Sequence, residues 1–175
     1  MAITKEQLKN RALESYKELG YVDIIKIATE LGIDVYGVED KIEDAEIVYD
    51  ENTGKFSINV NNSQVFTRQR FSVAHELAHY ILHKDDIKEE KAIARHDKSD
   101  IGYDNREKEA DDLAAELLLP EEALNDYISQ LKIDKSSLIN ESTVRDISSK
   151  FKLSLTMVIV RLRKLGFQIP FILFA

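Results

Sequence analysis

Three of the four histidines in this 175-residue chain fall between positions 75 and 83. His75-Glu76-Leu77-Ala78-His79 is an H-E-x-x-H stretch, the spacing of a helical zinc site. On an α-helix, residues i and i+4 share one face about a turn apart. His75 and His79 can therefore turn an imidazole nitrogen toward the same ion. Glu76 reaches that ion from the flank, where its carboxylate can take a proton from a water instead of acting as a ligand. The expected chemistry is metal-assisted hydrolysis.

A catalytic zinc needs three protein ligands and one position left for water. A third histidine in an H-x-x-G-x-x-H continuation would need Gly and His at positions that hold Leu82 and Asp85. His83 continues the row, but two helical turns separate it from His75 by roughly 12 Å. Its expected part is a hydrogen bond, not a place at the ion. The chain has no cysteine, so only histidine and carboxylate remain as donors. The stretch from Asn105 to Pro120 carries a buried helical stripe of Ala110, Leu113, Ala114, Leu117 and Leu118. At about 100° per residue, Glu107 lies roughly 50° from the centre of that stripe and Glu109 roughly 110°. Glu107 is the expected third ligand. Asp111, one turn on, is placed to accept the free ring N–H of a ligating histidine. Taken alone, the two acids would read as surface charges of an amphipathic helix; H-E-x-x-H tips the balance.

Arg68-Gln69-Arg70-Phe71-Ser72-Val73-Ala74-His75-Glu76-Leu77-Ala78-His79 resembles the R-x-R-F-S/T-x-A-H-E-L/I-G/A-H signature of ImmA/IrrE-type metallopeptidases. The run from Glu107 to Pro120 resembles their second motif, E-x-E/Q-A-N/D-x-F-A-A-x-L-L-M/L-P. The resemblance extends from about Ile24 to Gly166. The departures are Ala78 where Gly is frequent and Leu113 where Phe is frequent, and neither is an expected ligand. The resemblance implies zinc held by His75, His79 and Glu107, with Glu76 as the catalytic base. It implies an α+β, zincin-like fold, mainly helical, with a small antiparallel or mixed sheet beside the H-E-x-x-H helix. It also implies a protein substrate, a helix-turn-helix repressor, cleaved in an anti-repressor or toxin–antitoxin-like role tied to mobile genetic elements.

Length suits one domain over residues 1–175, with 143–165 a helix-turn-helix-like pair packed on it. Hydrophobic residues at 43% and charged residues at 32% fit a soluble globular protein. The net charge of −8 argues against sequence-independent nucleic-acid binding. Met1 to Glu6 does not read as a signal peptide, and no apolar run reaches membrane-spanning length. A cytoplasmic location without membrane contact is the expectation, and a cytoplasmic protease must choose its substrates narrowly.

The elements that position the site read as follows. Thr4 to Gln7 is a capping box opening a helix with Leu8, Ala12, Tyr16 and Leu19 inward and Gly20 at its end. Asp23 caps a helix from Ile24 to Leu31, closed by Gly32. Ile33 to Val38 reads as a strand, and 46–49 and 55–60 as a hairpin about Glu51-Asn52-Thr53-Gly54. Phe56, Ile58 and Val60 share a face. This second hairpin strand is expected to offer its backbone to an extended substrate; the alternative is an interior strand. Thr67 is the expected cap of the metal helix. Arg68 and Arg70 then stand where positive charge is unfavourable, so they should pair with acids or carbonyls. The charged stretch from Lys84 to Asn105 has room for a short helix over 87–94 and borders the cleft, where it either gates access or serves as a solvated connector. It also holds His96 and Tyr103, possible oxyanion donors. Helices follow over 121–131, 143–151 and 154–165, and the basic residues Arg161, Arg163 and Lys164 give the last pair its helix-turn-helix-like look. Met157, Val158, Val160, Leu162 and Leu165 read as core, which weighs against DNA binding by this pair. The apolar end, Phe167 to Ala175, should dock as a strand or tail. Two other readings are a partner-binding module that does not cut, and a DNA-binding regulator using the last helices. His and carboxylate donors would also admit manganese, iron or cobalt. Glu107→Ala should release the metal, measured by elemental analysis of the purified protein, whereas Glu109→Ala should retain it. The reverse pattern would move the third ligand to Glu109.

Overall fold

The computed structural model describes residues 3–39, 44–90, 92–93, 101–134 and 137–170. Helix α1, Lys5–Leu19, opens at Thr4, whose hydroxyl accepts from the Gln7 N–H while the Gln7 side chain accepts from the Thr4 N–H. It ends at Gly20, whose φ of 76° is the left-handed turn that favours glycine. Leu8 and Ala12 are buried, but Leu19 in the last turn reaches solvent at 41% exposure. Asp23 caps helix α2, Ile24–Glu30, by accepting from the Lys26 N–H.

Strands β1 (Asp34–Val38), β2 (Ala45–Asp50), β3 (Lys55–Asn61) and the short β4 (Ala92–Ile93) form a mixed sheet in the order β1-β3-β2-β4. β2 and β3 are the expected hairpin, and β1 lies parallel to β3 on its far side. β3 is therefore interior. The expectation that Phe56 to Val60 receives a substrate strand is wrong, because β1 and β2 already occupy its two hydrogen-bonding edges. Phe56, Ile58 and Val60 do share the buried face. Phe56 meets Tyr80 edge-on at 4.9 Å, fixing the sheet on the next helix.

That helix is α3, Phe66–Leu82, which lies against β2 and β3. It starts one residue before Thr67, with Val65 at the cap position and no side-chain cap. Gln69 binds the incoming loop instead, donating to the carbonyls of Asn62 at 3.2 Å and Gln64 at 2.6 Å. Arg68 grips Asp44 with two bonds of 2.8 Å. Arg70 is 2% exposed and donates to the carbonyls of Val22, Phe151 at 3.0 Å and Lys152 at 2.9 Å. The two arginines thus take the two expected partners, an acid and the backbone.

Helix α4 (Lys84–Glu90) begins earlier than expected and yields to β4, which pairs with β2. Helix α5 (Ile101–Leu118) packs on α3 more extensively than any other pair of helices. Its stripe of Ala110, Leu113, Ala114, Leu117 and Leu118 is fully buried, as are Ala74 and Ala78 on α3. The small side chains permit a close approach of the helices. Helix α6 (Glu121–Gln130) follows Pro120. Helix α7 (Glu141–Phe151) is capped by Asn140, and helix α8 (Leu155–Lys164) by Ser154. Phe151 stacks on Tyr16 at 5.4 Å and meets Tyr127 at 5.8 Å, joining α1, α6 and α7. On α8, Val160 is 56% exposed instead of buried, while Arg161 is 5% exposed and donates from Nε to the Leu119 carbonyl. Phe167 and Ile169 are buried, and the Gln168 carbonyl accepts from the Ile139 N–H; 171–175 lie outside the described residues.

Arg70→Met would leave three carbonyls without their donor and should lower stability by about 3 kcal/mol in urea denaturation. Arg145→Met, which loses only an exposed pair with Glu141, should cost under about 0.5 kcal/mol. Equal costs would show that Arg70 holds nothing.

Candidate metal centre

α3 presents His75 and His79 one turn apart on one face, and α5 brings Glu107 against them. The two Nε2 atoms are 2.9 Å apart and the rings 4.6 Å apart at 72°. Glu107 bridges them, with Oε2 3.2 Å from His75 Nε2 and Oε1 3.0 Å from His79 Nε2. Both imidazoles are 1% exposed, as is proper to side chains set in a helix–helix seam, and Glu107 is 19% exposed. Glu76 is 2% exposed on the same helix.

The donor set matches a divalent cation. Around a tetrahedral zinc with bonds of about 2.0–2.1 Å, neighbouring ligand atoms stand about 3.3–3.4 Å apart. The 2.9 Å between the nitrogens is a few tenths of an ångström short of that, and each Glu107 oxygen stands 3.0–3.2 Å from one of them, so slight side-chain motion would admit the ion. Two nitrogens and a carboxylate make a borderline, thiolate-free set. Among the described residues, His75, His79 and Glu107 are the acid and imidazole group that could hold a metal.

The orientation of His75 is fixed from behind. Its Nδ1–H donates to Asp111 Oδ1 at 2.8 Å, which leaves the Nε2 lone pair facing the cluster. Asp111 was the acid that helical spacing assigned to this task. Burial pushes His79 below its ordinary pKa, a shift opposed by its bond to Glu107 and reinforced by His75. The imidazole is thereby kept neutral, the form that binds metal. Burial pushes the Glu107 carboxyl up, yet the two imidazoles beside it, in their protonated forms, outweigh burial by hydrogen bonding and charge and hold it well below the usual carboxylate range.

The remaining candidates stand apart from the cluster. The ring of His83 lies 5.4 Å from that of His79, and its Nε2 is 3.8 Å from Glu109 Oε2; it is not in the triad. Glu109 is 65% exposed, matching the solvent-facing position read from the helix. His96 and the Tyr103 side chain lie outside the described residues. Sequence reasoning missed Lys84, whose ammonium donates to the Tyr80 hydroxyl at 2.8 Å and lies 4.3 Å from the ring centre. The i,i+4 spacing of Tyr80 and Lys84 was the available signal.

A family model described as the IrrE N-terminal-like domain of peptidases matches residues 27–163. Among solved structures, a Mycobacterium tuberculosis transcriptional regulator shares the fold, with a TM-score of 0.53 at 18% identity over 89% of this chain. The match spans 46% of that regulator, so this chain corresponds to less than half of it. No curated protein sequence matches. The chain is a member of the IrrE N-terminal-like peptidase family, and its His75–His79–Glu107 cluster falls inside the matched region.

Proposed function

We propose that residues 1–175 act as one metal-dependent endopeptidase domain, with zinc held by His75, His79 and Glu107. The convergence of these three donors from two helices is the observation that carries this reading. When bound, the ion supplies the Lewis acidity that makes water a nucleophile near neutral pH. Glu76 is the general base. It lies one residue from His75, is nearly buried, and is not one of the three donors. Its carboxylate takes the proton of the attacking water and returns it to the leaving amine as the peptide bond breaks. Asp111 keeps His75 in the tautomer that binds, and the neutral state of His79 spares a proton-release step.

The proposed substrate is a helix-turn-helix repressor met in the cytoplasm, and cleaving it would relieve repression. Family resemblance supports this substrate class, and the Mycobacterium tuberculosis protein of similar fold is a transcriptional regulator. No helix among the described residues is long and apolar enough to cross a membrane. DNA reading by α7 and α8 is disfavoured, because Arg161 is buried against the Leu119 carbonyl and Lys164 is paired with Asp112.

Glu76→Gln should bind one equivalent of zinc like the parent, yet lose at least 100-fold in peptide cleavage. The roughly 10²–10⁴-fold contribution of a positioned base sets that scale. Elemental analysis and mass spectrometry of repressor fragments provide the two readouts. A variant that still cuts at the parental rate would remove Glu76 from the chemistry. A parent that binds zinc and repressor without cutting would favour the non-cleaving partner-binding module.

A further inference from the structure

A pocket of about 400 Å³ opens where the α1–α2 turn meets the start of α3, within the size range of pockets that seat ligand groups. Its walls include Tyr21, Ile24, Ile25 and Phe66. Ile25 is 41% and Phe66 is 55% exposed, and Val65 beside it is 70% exposed. Large apolar side chains gathered around a concavity mark an interaction surface, unlike the same residues scattered singly.

The charge around this pocket opposes that of the whole chain. The protein carries −8 overall, but four cations surround the pocket. Arg70 and Lys26 line it. The Lys152 ammonium lies 3.3 Å from the centre of the Tyr21 ring, and the Lys150 ammonium lies against Gly20, next to Tyr21. The guanidinium of Arg70 sits 5.4 Å from the Tyr21 ring and 5.9 Å from that of Phe66. Two acids offset part of this. Asp23 lines the pocket as well as capping α2, and Glu18 is 3.7 Å from Lys26, so the four cations keep a local excess of positive charge. Lys150 and Lys152 have no ion-pair partner among the described residues.

We propose that this pocket docks an acidic segment of a partner protein. One apolar side chain of the segment sits among Tyr21, Ile25 and Phe66, and its carboxylates face Lys26, Lys150 and Lys152. The apolar walls favour a peptide over nucleic acid, and an overall charge of −8 repels a polyanion that must track a long surface. A short acidic segment meets only the local cations. The site is remote from the metal cluster. Phe66 and Arg70 precede His75 by nine and five residues, which turns them about 180° and 140° around α3. Docking on this reverse face leaves the cleft free, and it does not rest on the peptidase reading, since binding is read without cleavage.

The test is fluorescence anisotropy with the full chain and a labelled peptide holding one Phe between runs of Asp and Glu. The acidic Phe peptide should bind, and added salt should weaken it. Affinity should fall at least tenfold when its Phe becomes Ala, or when its acids become Lys. Phe66→Ser and Lys152→Glu, both at exposed positions and checked for folding by circular dichroism, should each cost at least tenfold. Glu76→Gln should bind like the parent. Equal binding of the three peptides, unchanged binding by both folded surface variants, or tighter binding of a single-stranded oligonucleotide would overturn the proposal.

Discussion

Two imidazole nitrogens facing each other at 2.9 Å are the constraint on which this structure turns. Their lone pairs cannot share that space without a proton or a cation between them. The carboxylate of Glu107, 3.0–3.2 Å from both, supplies the negative charge that makes a cation the natural occupant. Such a cluster tolerates little error, because metal bonds are fixed to a few tenths of an ångström. The relative position of α3 and α5 therefore matters more than that of any other pair. Ala74, Ala78, Ala110 and Ala114, all fully buried, let these helices approach closely. The rest of the fold holds α3 still. Arg70 ties its start to the α1–α2 turn and the end of α7, Arg68 ties it to Asp44, and the Phe56–Tyr80 contact ties its far half to the sheet.

What could be read from the sequence follows the range of the interactions. The shared face of His75 and His79, and the edge shared by Glu107 and Asp111, were legible because helical periodicity decides which side chains share a face; that the two helices meet there was suggested only by the H-E-x-x-H stretch beside them. The caps at Thr4, Asp23 and Gly20 were legible because capping is settled within four residues. The role of β3 was not. Whether a strand is interior depends on a partner distant in the chain, and β1 supplies the second neighbour. The start of α3 escaped for a related reason. A Thr near a helix start suggests a cap, but here the Gln69 side chain binding the carbonyls of Asn62 and Gln64 shapes the entry.

Arg161 carries the same lesson. Among Arg163 and Lys164 it reads as part of a basic face, with Val160 as core. The structure reverses the two: Arg161 is buried with Nε on the Leu119 carbonyl, and Val160 meets solvent. Leu119 lies 42 residues earlier, beyond the reach of any local pattern. Through this bond α8 becomes a support for the end of α5, the helix that carries Glu107. Arg70 and Arg161 are both guanidinium groups laid on backbone carbonyls, a use that a rigid planar fork suits and an ammonium does not.

The most direct test of the central claim is anomalous diffraction at the zinc edge from crystals grown with one equivalent of zinc. A single peak is expected at bonding distance, about 2.0–2.2 Å, from His75 Nε2, His79 Nε2 and a Glu107 oxygen. A peak bonded to His83 and Glu109 instead, or no ordered zinc at the His75–His79 pair, would contradict it.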